Sequence, residues 1–202
     1  MITVIIPTMW KALTFEIQLT QLCNCNYVDE IILINNDQKN TPKYKILNHN
    51  KIIHINFAEN IFVNPAWNLG ISLAKNNNIC LLNDDILFDI NVFEFMSQHK
   101  DITLCGLKMD STDADLRLVE TNERNLGFGC IMFLRKDTYT EIPKQLLIFY
   151  GDDYLFYKNK LNGYKNYCLY GCKNNSIFGT TSNSTSLSKD QHEFNIILNQ
   201  GT

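Results

Sequence analysis

Two pairs of adjacent aspartates are the residues best suited to chemistry in this chain. Asp84-Asp85 directly follows a short apolar run, and Asp152-Asp153 opens a stretch with the pattern of a helix. Carboxylate oxygens are the ligands that Mg²⁺ and Mn²⁺ prefer, and such sites often use only one or two of them. A turn after a strand, or an acidic first turn of a helix, explains each pair without any chemistry. The strands and helices predicted around the two pairs help to distinguish metal binding from these structural roles.

The first half of the chain alternates short apolar strands with helices. Strands are predicted over residues 3–7, 30–34, 51–57 and 79–82, and helices over 12–22 and 65–74. The strands are continuously apolar rather than alternating, which is typical of a parallel sheet covered on both faces. The pattern therefore predicts an α/β fold with a mostly parallel central sheet between layers of helices.

The second half is less regular. We expect strands over 102–109 and 129–135, a long polar connection over 110–124, a helix over 153–162 that ends at Gly163, and a mobile Ser/Thr-rich loop over 180–188. No repeat or linker interrupts the chain. We therefore predict a single domain over 1–202.

Three predicted strands end in polar or special residues. These ends are Pro7-Thr8, Asn35-Asn36-Asp37 and Asn83-Asp84-Asp85. In open parallel sheets ligands bind beyond the carboxyl ends of the strands, so the three clusters should meet at one crevice. Any one of them alone is an ordinary strand stop.

Composition excludes several classes of protein. The net charge of −3 over 202 residues gives no electrostatic footprint for nucleic acid or an anionic membrane. No apolar run reaches the length of a transmembrane helix, and the first residues do not resemble a signal peptide. The seven cysteines lack CxxC spacing, which favours free thiols over zinc sites and predicts a reducing, cytoplasmic location.

In this order the motifs resemble those of family 2 type glycosyltransferases, which have the GT-A fold, a Rossmann-like sandwich that binds a nucleotide sugar. The resemblance covers roughly residues 1–165 and implies a nucleotide-sugar-binding half over 1–100 and an acceptor-binding, catalytic half over 101–202. It rests on the first two strands, on Asn60 and Asn68 eight positions apart, on Leu81-Leu82-Asn83-Asp84-Asp85, and on Tyr150-Gly151-Asp152-Asp153 before a helix. At Phe62 the family often has glycine.

The resemblance implies a role for each acidic residue. Asp85 would be the direct ligand of Mn²⁺ or Mg²⁺, and Asp84 or Asn83 would face the ribose or the donor sugar. Asp153, with Asp152 as the alternative, would be the base that deprotonates the acceptor hydroxyl in an inverting transfer.

Donor recognition would use the polar strand ends. We expect Pro7, Thr8, Asn35 and Asn36 to line the nucleotide crevice and Asn68 to reach it from its helix. Amide groups suit the imide edge of uracil, so a UDP-sugar is favoured over other donors. Stacking by Trp10 or Trp67 is an alternative to their packing in the core.

The predicted function is transfer of a sugar from a nucleoside diphosphate sugar to a hydroxyl of a glycan or other acceptor. One alternative is a sugar-phosphate nucleotidyltransferase, although residues 7–11 lack the glycine-rich phosphate loop that such an enzyme needs. Another alternative is a module that binds a nucleotide sugar without catalysis.

Overall fold

The computed structural model describes residues 1–176 and 187–200, and within them a central sheet carries helices on both faces. The strands are β1 (Ile2–Thr8), β2 (Val28–Asn35), β3 (Ile52–Asn56), β4 (Asn78–Leu82), β5 (Ile86–Phe88), β6 (Leu104–Leu107), β7 (Arg117–Thr121), β8 (Ile131–Arg135), β9 (Asn166–Tyr170) and β10 (Asn174–Ser176). The helices are α1 (Phe15–Asn24), α2 (Val63–Leu73), α3 (Val92–Ser97), α4 (Gly151–Leu161) and α5 (Leu187–Gln200).

The described sheet has eight strands in the order β3-β2-β1-β4-β8-β6-β9-β7. Its first four strands are mutually parallel, and only β8 and β7 run against the others. Strands β5 and β10 form a separate antiparallel pair. The prediction of a mostly parallel α/β sheet is confirmed.

Both faces of the sheet are buried, which explains why its central strands are continuously apolar. In β1, Val4 and Ile6 pack with α1 and α3 on one face, while Ile5 packs with α2 and α4 on the other. Neighbouring strands repeat this alternation, so a polar side chain within them would be buried whichever face it took. Polar residues therefore collect at the strand ends.

The second half differs from its predicted organisation. Arg117–Thr121, expected to lie in a long connection, forms the edge strand β7 and pairs with β9. An edge strand has one face and one side open to solvent and tolerates charged residues, so its sequence looks like a loop. The predicted helix over 153–162 begins earlier, at Gly151, and is followed as predicted by Gly163 in a left-handed conformation with φ 82°.

The predicted Ser/Thr-rich loop over 180–188 lies mostly outside the described residues. Its last two positions belong to α5, which the sequence analysis did not predict. All seven cysteines are free, and six of them are buried. Within the described parts of the chain, no helix is long and apolar enough to cross a membrane.

Candidate functional site

The order of the strands places a cleft at the carboxyl end of β1. Strand β1 lies between β2 on one side and β4 on the other, so the strand order reverses here, and this reversal leaves a crevice beyond the strand ends. The part of the cleft that water can enter has a volume of about 140 Å³. It is lined by Pro7, Thr8, Met9, Lys11, Asn36, Asn60, Phe62, Val63, Asn83, Asp84, Asp85 and Ile148.

Asp84 joins the ends of β1 and β4. Its Oδ2 accepts a hydrogen bond of 2.6 Å from the Thr8 hydroxyl, and the backbone N–H of Met9 also donates to it. Burial raises the pKa of the Asp84 carboxyl, and the Thr8 hydrogen bond and the charge of Lys11 oppose this shift. Part of the hydrogen-bonding capacity of the Asp84 carboxylate is therefore used to hold the cleft wall together.

Asp85 is the less engaged carboxylate of this pair. Only 8% of the residue is exposed, and it forms no ion pair with any described residue. Burial, followed by the charge of Asp84, raises the pKa of Asp85 to about 6. Binding of an external cation stabilises the charged form of a buried carboxylate that has no counter-charge of its own.

The second pair, Asp152-Asp153, lies in the first turn of α4 and is held by one arginine. Nε of Arg124 donates to Oδ1 of Asp153 at 2.5 Å, and its Nη1 donates to Oδ2 of Asp152 at 3.0 Å. Burial raises the pKa of Asp152, while Arg124 works in the opposite direction. Partial burial disfavours the arginine charge, but the two aspartates raise the pKa of Arg124 on balance. Arg124 therefore offsets one of the two negative charges of this pair from within the chain.

Gly129 and Cys130 connect the two pairs. The Cys130 carbonyl accepts the backbone N–H of Asn83, while a side chain at Gly129 would lie 2.9 Å from Oδ2 of Asp152. Burial, followed by the negative charges of Asp85 and Asp152, raises the pKa of the Cys130 thiol to about 12. Both acidic pairs therefore act on the same short segment before β8.

Two asparagines hold the cleft wall that leads into α2. Oδ1 of Asn60 accepts the Phe62 N–H at 2.7 Å, and Oδ1 of Asn36 accepts the Ile61 N–H at 3.3 Å. The backbone of Phe62 has φ 68° and ψ 179°, a conformation that glycine adopts readily and other residues rarely do. The chain keeps a glycine-like turn with a phenylalanine, whose side chain lines the cleft.

The loop before Asp152-Asp153 is held from two helices. From α2, Nδ2 of Asn64 donates to the carbonyls of Leu146 and Phe149, both at 3.2 Å. From α5, Oδ2 of the fully buried Asp190 accepts the N–H groups of Ile148 and Phe149 at 2.8 and 2.9 Å. The same loop supplies Ile148 to the cleft, so both helices support its wall.

Gly151 is required where this loop enters α4. A side chain added there would lie 2.1 Å from Oδ1 of Asn64. The preceding residue, Tyr150, has φ 61° and stacks on Phe194 of α5 with ring centroids 5.1 Å apart. The start of α4, and with it the second acidic pair, is therefore fixed by close packing.

Six of the ten predicted site residues line the cleft: Pro7, Thr8, Asn36, Asn83, Asp84 and Asp85. Asp152 is not one of the lining residues and lies beside Gly129. Asp153 is tied to the same Arg124 as Asp152. Asn35 and Asn68, in contrast, are not among the cleft-lining residues.

The amide of Asn35 is fully used by its neighbours. Its Oδ1 accepts the indole N–H of Trp10 at 2.7 Å and the backbone N–H of Asp37 at 3.0 Å, and its Nδ2 donates to Thr41 and Asn56. Because no donor or acceptor direction is left, the side chain cannot read a nucleobase without breaking these bonds. The structure thus gives Asn35 a supporting position, in contrast to the expectation of direct contact.

Asn68 lies on the far side of α2. Its amide bonds to the Ile142 backbone and to the Tyr139 hydroxyl, so the structure does not bring it to the crevice as expected. The neighbouring Trp67 is 4% exposed in the core, and Trp10 packs against Phe15 and His54. Neither tryptophan lines the cleft.

Sequence reasoning missed Arg124, Asn64 and Asp190. Arg124 is isolated in a polar stretch, 28 residues before its first partner, and Asp190 lies just beyond the Ser/Thr-rich segment. Asn64 does carry a signal, since it is a polar residue on the apolar face of α2 with no exposed surface. Such a residue in a buried position indicates a specific hydrogen-bonding partner.

The residues at the cleft fit a bound Mn²⁺ or Mg²⁺. Asp85 offers desolvated carboxylate oxygens without a counter-charge, and Asp84 is adjacent to it. In residues 1–176 and 187–200 no group of three or more His, Cys, Asp and Glu side chains converges on a metal position. A site of this kind suits a cation that takes one or two carboxylates and completes its shell with phosphate and water.

Comparison with known proteins shows similarity in fold. No protein-family model matches the chain, and no similar curated protein was found. Residues 1–349 of S. aureus TarS match with a TM-score of 0.59 and 14% identity over 84% of this chain and 57% of that one. The fold is GT-A-like.

Two further structures give the same result. S. aureus TarS 1–349 in complex with UDP matches with a TM-score of 0.61 and 15% identity, again over 84% of this chain and 57% of that one. A longer TarS structure matches with 0.60 and 17% identity over 84% of this chain and 35% of that one. The chain thus spans little more than half of TarS 1–349, and at these identities the likeness concerns the fold alone.

Proposed function

We propose that this protein is a metal-dependent, inverting glycosyltransferase of the family 2 type. It would move a sugar from a nucleoside diphosphate sugar, with a UDP-sugar favoured, to a hydroxyl of a glycan or another acceptor. The observation that carries the proposal is the cleft beyond β1 and β4, where Asp85 is buried without a counter-charge. The similarity in fold to TarS, which was solved in complex with UDP, supports it.

The lining of the cleft suits the parts of such a donor. Met9, Phe62, Val63 and Ile148 offer apolar surface for a base or a sugar ring, and Lys11 offers positive charge near the acidic turn. Asp85, with Asp84 beside it, would hold the divalent cation. When bound, that cation stabilises the negative charge that develops on the leaving diphosphate.

The second pair would carry the acceptor chemistry. The acceptor hydroxyl forms a bond to the anomeric carbon as the bond from that carbon to the diphosphate oxygen breaks, and Asp153 takes the hydroxyl proton. Arg124 holds Oδ1 of Asp153, and Oδ2 has no hydrogen-bond partner among the described residues. Asp152, whose pKa is raised by burial, is the alternative base.

The ion pairs of Arg124 also favour a second candidate, a module that binds a nucleotide sugar without transferring it. A carboxylate that is already neutralised by arginine is a poor proton acceptor unless the acceptor substrate displaces or shares that contact. Hydrolysis or transfer of a UDP-sugar in the presence of Mn²⁺ separates an enzyme from such a module, which would bind the donor and release it unchanged.

Thermal unfolding with UDP, with and without Mn²⁺, tests the donor site. At about 100 times its dissociation constant a ligand adds about 2.7 kcal/mol of stability. For a chain of this size we expect Tm to rise by about 5–10 °C, and only with both ligands present. GDP, CDP and ADP serve as matched comparisons. If no nucleoside diphosphate changes Tm under any metal condition, the proposed donor site is wrong.

A further inference from the structure

Gln18 lies beneath the acidic turn that follows β4. It is 1% exposed and belongs to the buried face of α1, together with Phe15, Leu19 and Leu22. Its Nε2 donates to the carbonyl of Asn83 at 2.9 Å and to that of Ile86 at 2.6 Å. One amide nitrogen therefore connects both ends of the turn that contains Asp84 and Asp85.

The position of Gln18 is an unfavourable one for a polar side chain. Its two partners are carbonyl oxygens, so the nitrogen must face them and Oε1 must point away. Oε1 is buried and has no hydrogen-bond partner among the described residues. Because an unpartnered buried oxygen costs free energy, packing alone would favour an apolar residue among its apolar neighbours on α1.

The remaining contacts hold the two ends of the turn to different elements. The N–H of Asn83 donates to Cys130 just before β8, while Ile86 pairs with Ser176 of β10. Thr8 hydrogen-bonds to the turn at the side chain of Asp84. Among the residues that the structure describes, Gln18 is thus the side chain whose hydrogen bonds join the two ends of the turn.

We propose that Gln18 is a positioning residue that sets the geometry of the acidic turn and thereby the orientation of the Asp85 carboxylate. What the turn binds rests on the proposed function, but the positioning role does not. Residues that orient a metal ligand from behind commonly change metal affinity by about 10–100-fold when they are replaced.

The test compares Gln18→Met with Gln21→Met. Methionine keeps the length of the side chain and removes the donor, and Gln21 is an exposed residue of the same helix. Calorimetry measures Mn²⁺ binding in the presence of UDP, and hydrogen exchange measures protection of the amides in residues 83–88. We expect Gln18→Met to weaken Mn²⁺ binding by about tenfold, to speed exchange in this turn, and to leave the exchange of β1 and β2 unchanged. Gln21→Met should change none of these.

Each outcome decides the proposal. If wild-type protein binds Mn²⁺ and UDP, an unchanged affinity in folded Gln18→Met overturns it. If wild-type protein binds neither, the proposed function fails, and hydrogen exchange of the amides in residues 83–88 alone tests the positioning role. Faster exchange in Gln18→Met supports that role, and unchanged exchange overturns it. If Gln18→Met does not fold, Gln18→Asn, which keeps an amide but is too short to connect both carbonyls, takes its place. Failure of both variants to fold assigns Gln18 a purely structural role and overturns the proposal.

Discussion

Asp84-Asp85 and Asp152-Asp153 have the same residue types but lie in opposite electrostatic surroundings. Arg124 forms ion pairs with both members of the second pair. No described cation pairs with either member of the first, and burial raises the pKa of Asp85 to about 6. A cation supplied by a ligand would therefore stabilise the first pair, whereas the second is already stabilised by the chain itself.

The supports of the two pairs differ as well. The first pair follows a buried strand, and its turn is held by Thr8 and Gln18. The second begins a helix whose free N–H groups favour carboxylates, and Asn64 fixes the loop before it. The comparison predicts that changes at the first pair affect ligand binding and changes at the second affect transfer.

The largest expected effect is on transfer. Asp153→Asn removes the proposed proton acceptor and should lower the rate of sugar transfer by about 10²–10⁴-fold while leaving binding of UDP with Mn²⁺ nearly unchanged. A transfer assay and calorimetry on the same variant measure the two properties. Asp152→Asn is the matched control. If that variant loses transfer while Asp153→Asn retains it, the assignment of the base is reversed.

The next effect is on binding. Asp85→Asn keeps the shape of the side chain and removes the negative charge at the cleft, so we expect binding of UDP in the presence of Mn²⁺ to weaken by at least about tenfold. UDP titrations with Mn²⁺ and with EDTA separate the metal-dependent part. Equal affinity of wild-type and variant protein would show that Asp85 does not belong to the proposed metal site, and the contrast between the pairs would be wrong.

The same variant should be more stable than wild-type protein when no metal is present. Because the pKa of Asp85 is 3.8 unfolded and about 6 folded, the folded state binds more protons between these values, and its stability falls as pH rises through this window. At pH 7.5 in EDTA, Asp85→Asn should raise the free energy of unfolding by about 1–3 kcal/mol. At pH 3.5 the difference should largely vanish. Urea unfolding at both pH values provides the measurement, and a destabilised variant at pH 7.5 contradicts the expectation.

Arg124→Gln should have the opposite effect on stability. It leaves Asp152 desolvated without its counter-charge, so the pKa of Asp152 rises further and the charged form costs more. We expect a loss of about 1–2 kcal/mol at pH 8 and a smaller loss at pH 5, where protonation relieves part of the cost. Lys165→Gln, which breaks the exposed ion pair with Glu120, should change stability little at either pH. A loss independent of pH would show that Arg124 acts through packing.

The smallest effect concerns the backbone beside the first pair. Because Phe62 has φ 68° and ψ 179°, Phe62→Gly relieves strain that Phe62→Ala retains. Outside such positions glycine is usually less stable than alanine. Here we expect the glycine variant to be more stable by about 1 kcal/mol. Equal thermal stability of the two variants would mean that the turn relaxes without cost.

Much of the fold could be predicted because burial on both faces leaves a clear pattern. Ile31 to Ile34 are all apolar since each lies against one helical layer or the other, and polar residues begin at Asn35. This pattern fails at the edge of the sheet. Arg117–Thr121 lies at the edge of the sheet, where its side chains are exposed or only partly buried. Its sequence therefore lacks the apolar pattern that identifies a core strand.

The candidate site could be predicted in part for a similar reason. Strand order brings polar strand ends together, but the sequence does not show which way each side chain points. Asn36 lines the cleft, while Asn35 next to it is committed to Trp10, Thr41 and Asn56. Arg124 approaches its partners from a distant loop, and no local pattern predicts such a long-range ion pair.

The buried carboxylate of Asp190 joins α5 to Ile148, which lines the cleft. If a ligand of the cleft contacts Ile148, docking of this helix and binding of that ligand are linked equilibria. A ligand that binds only when Ile148 is in place must favour docking of the attached helix. Undocking of the helix must lower the affinity for that ligand by the same factor. For such a ligand, the extent to which α5 is docked would indicate whether the cleft is occupied.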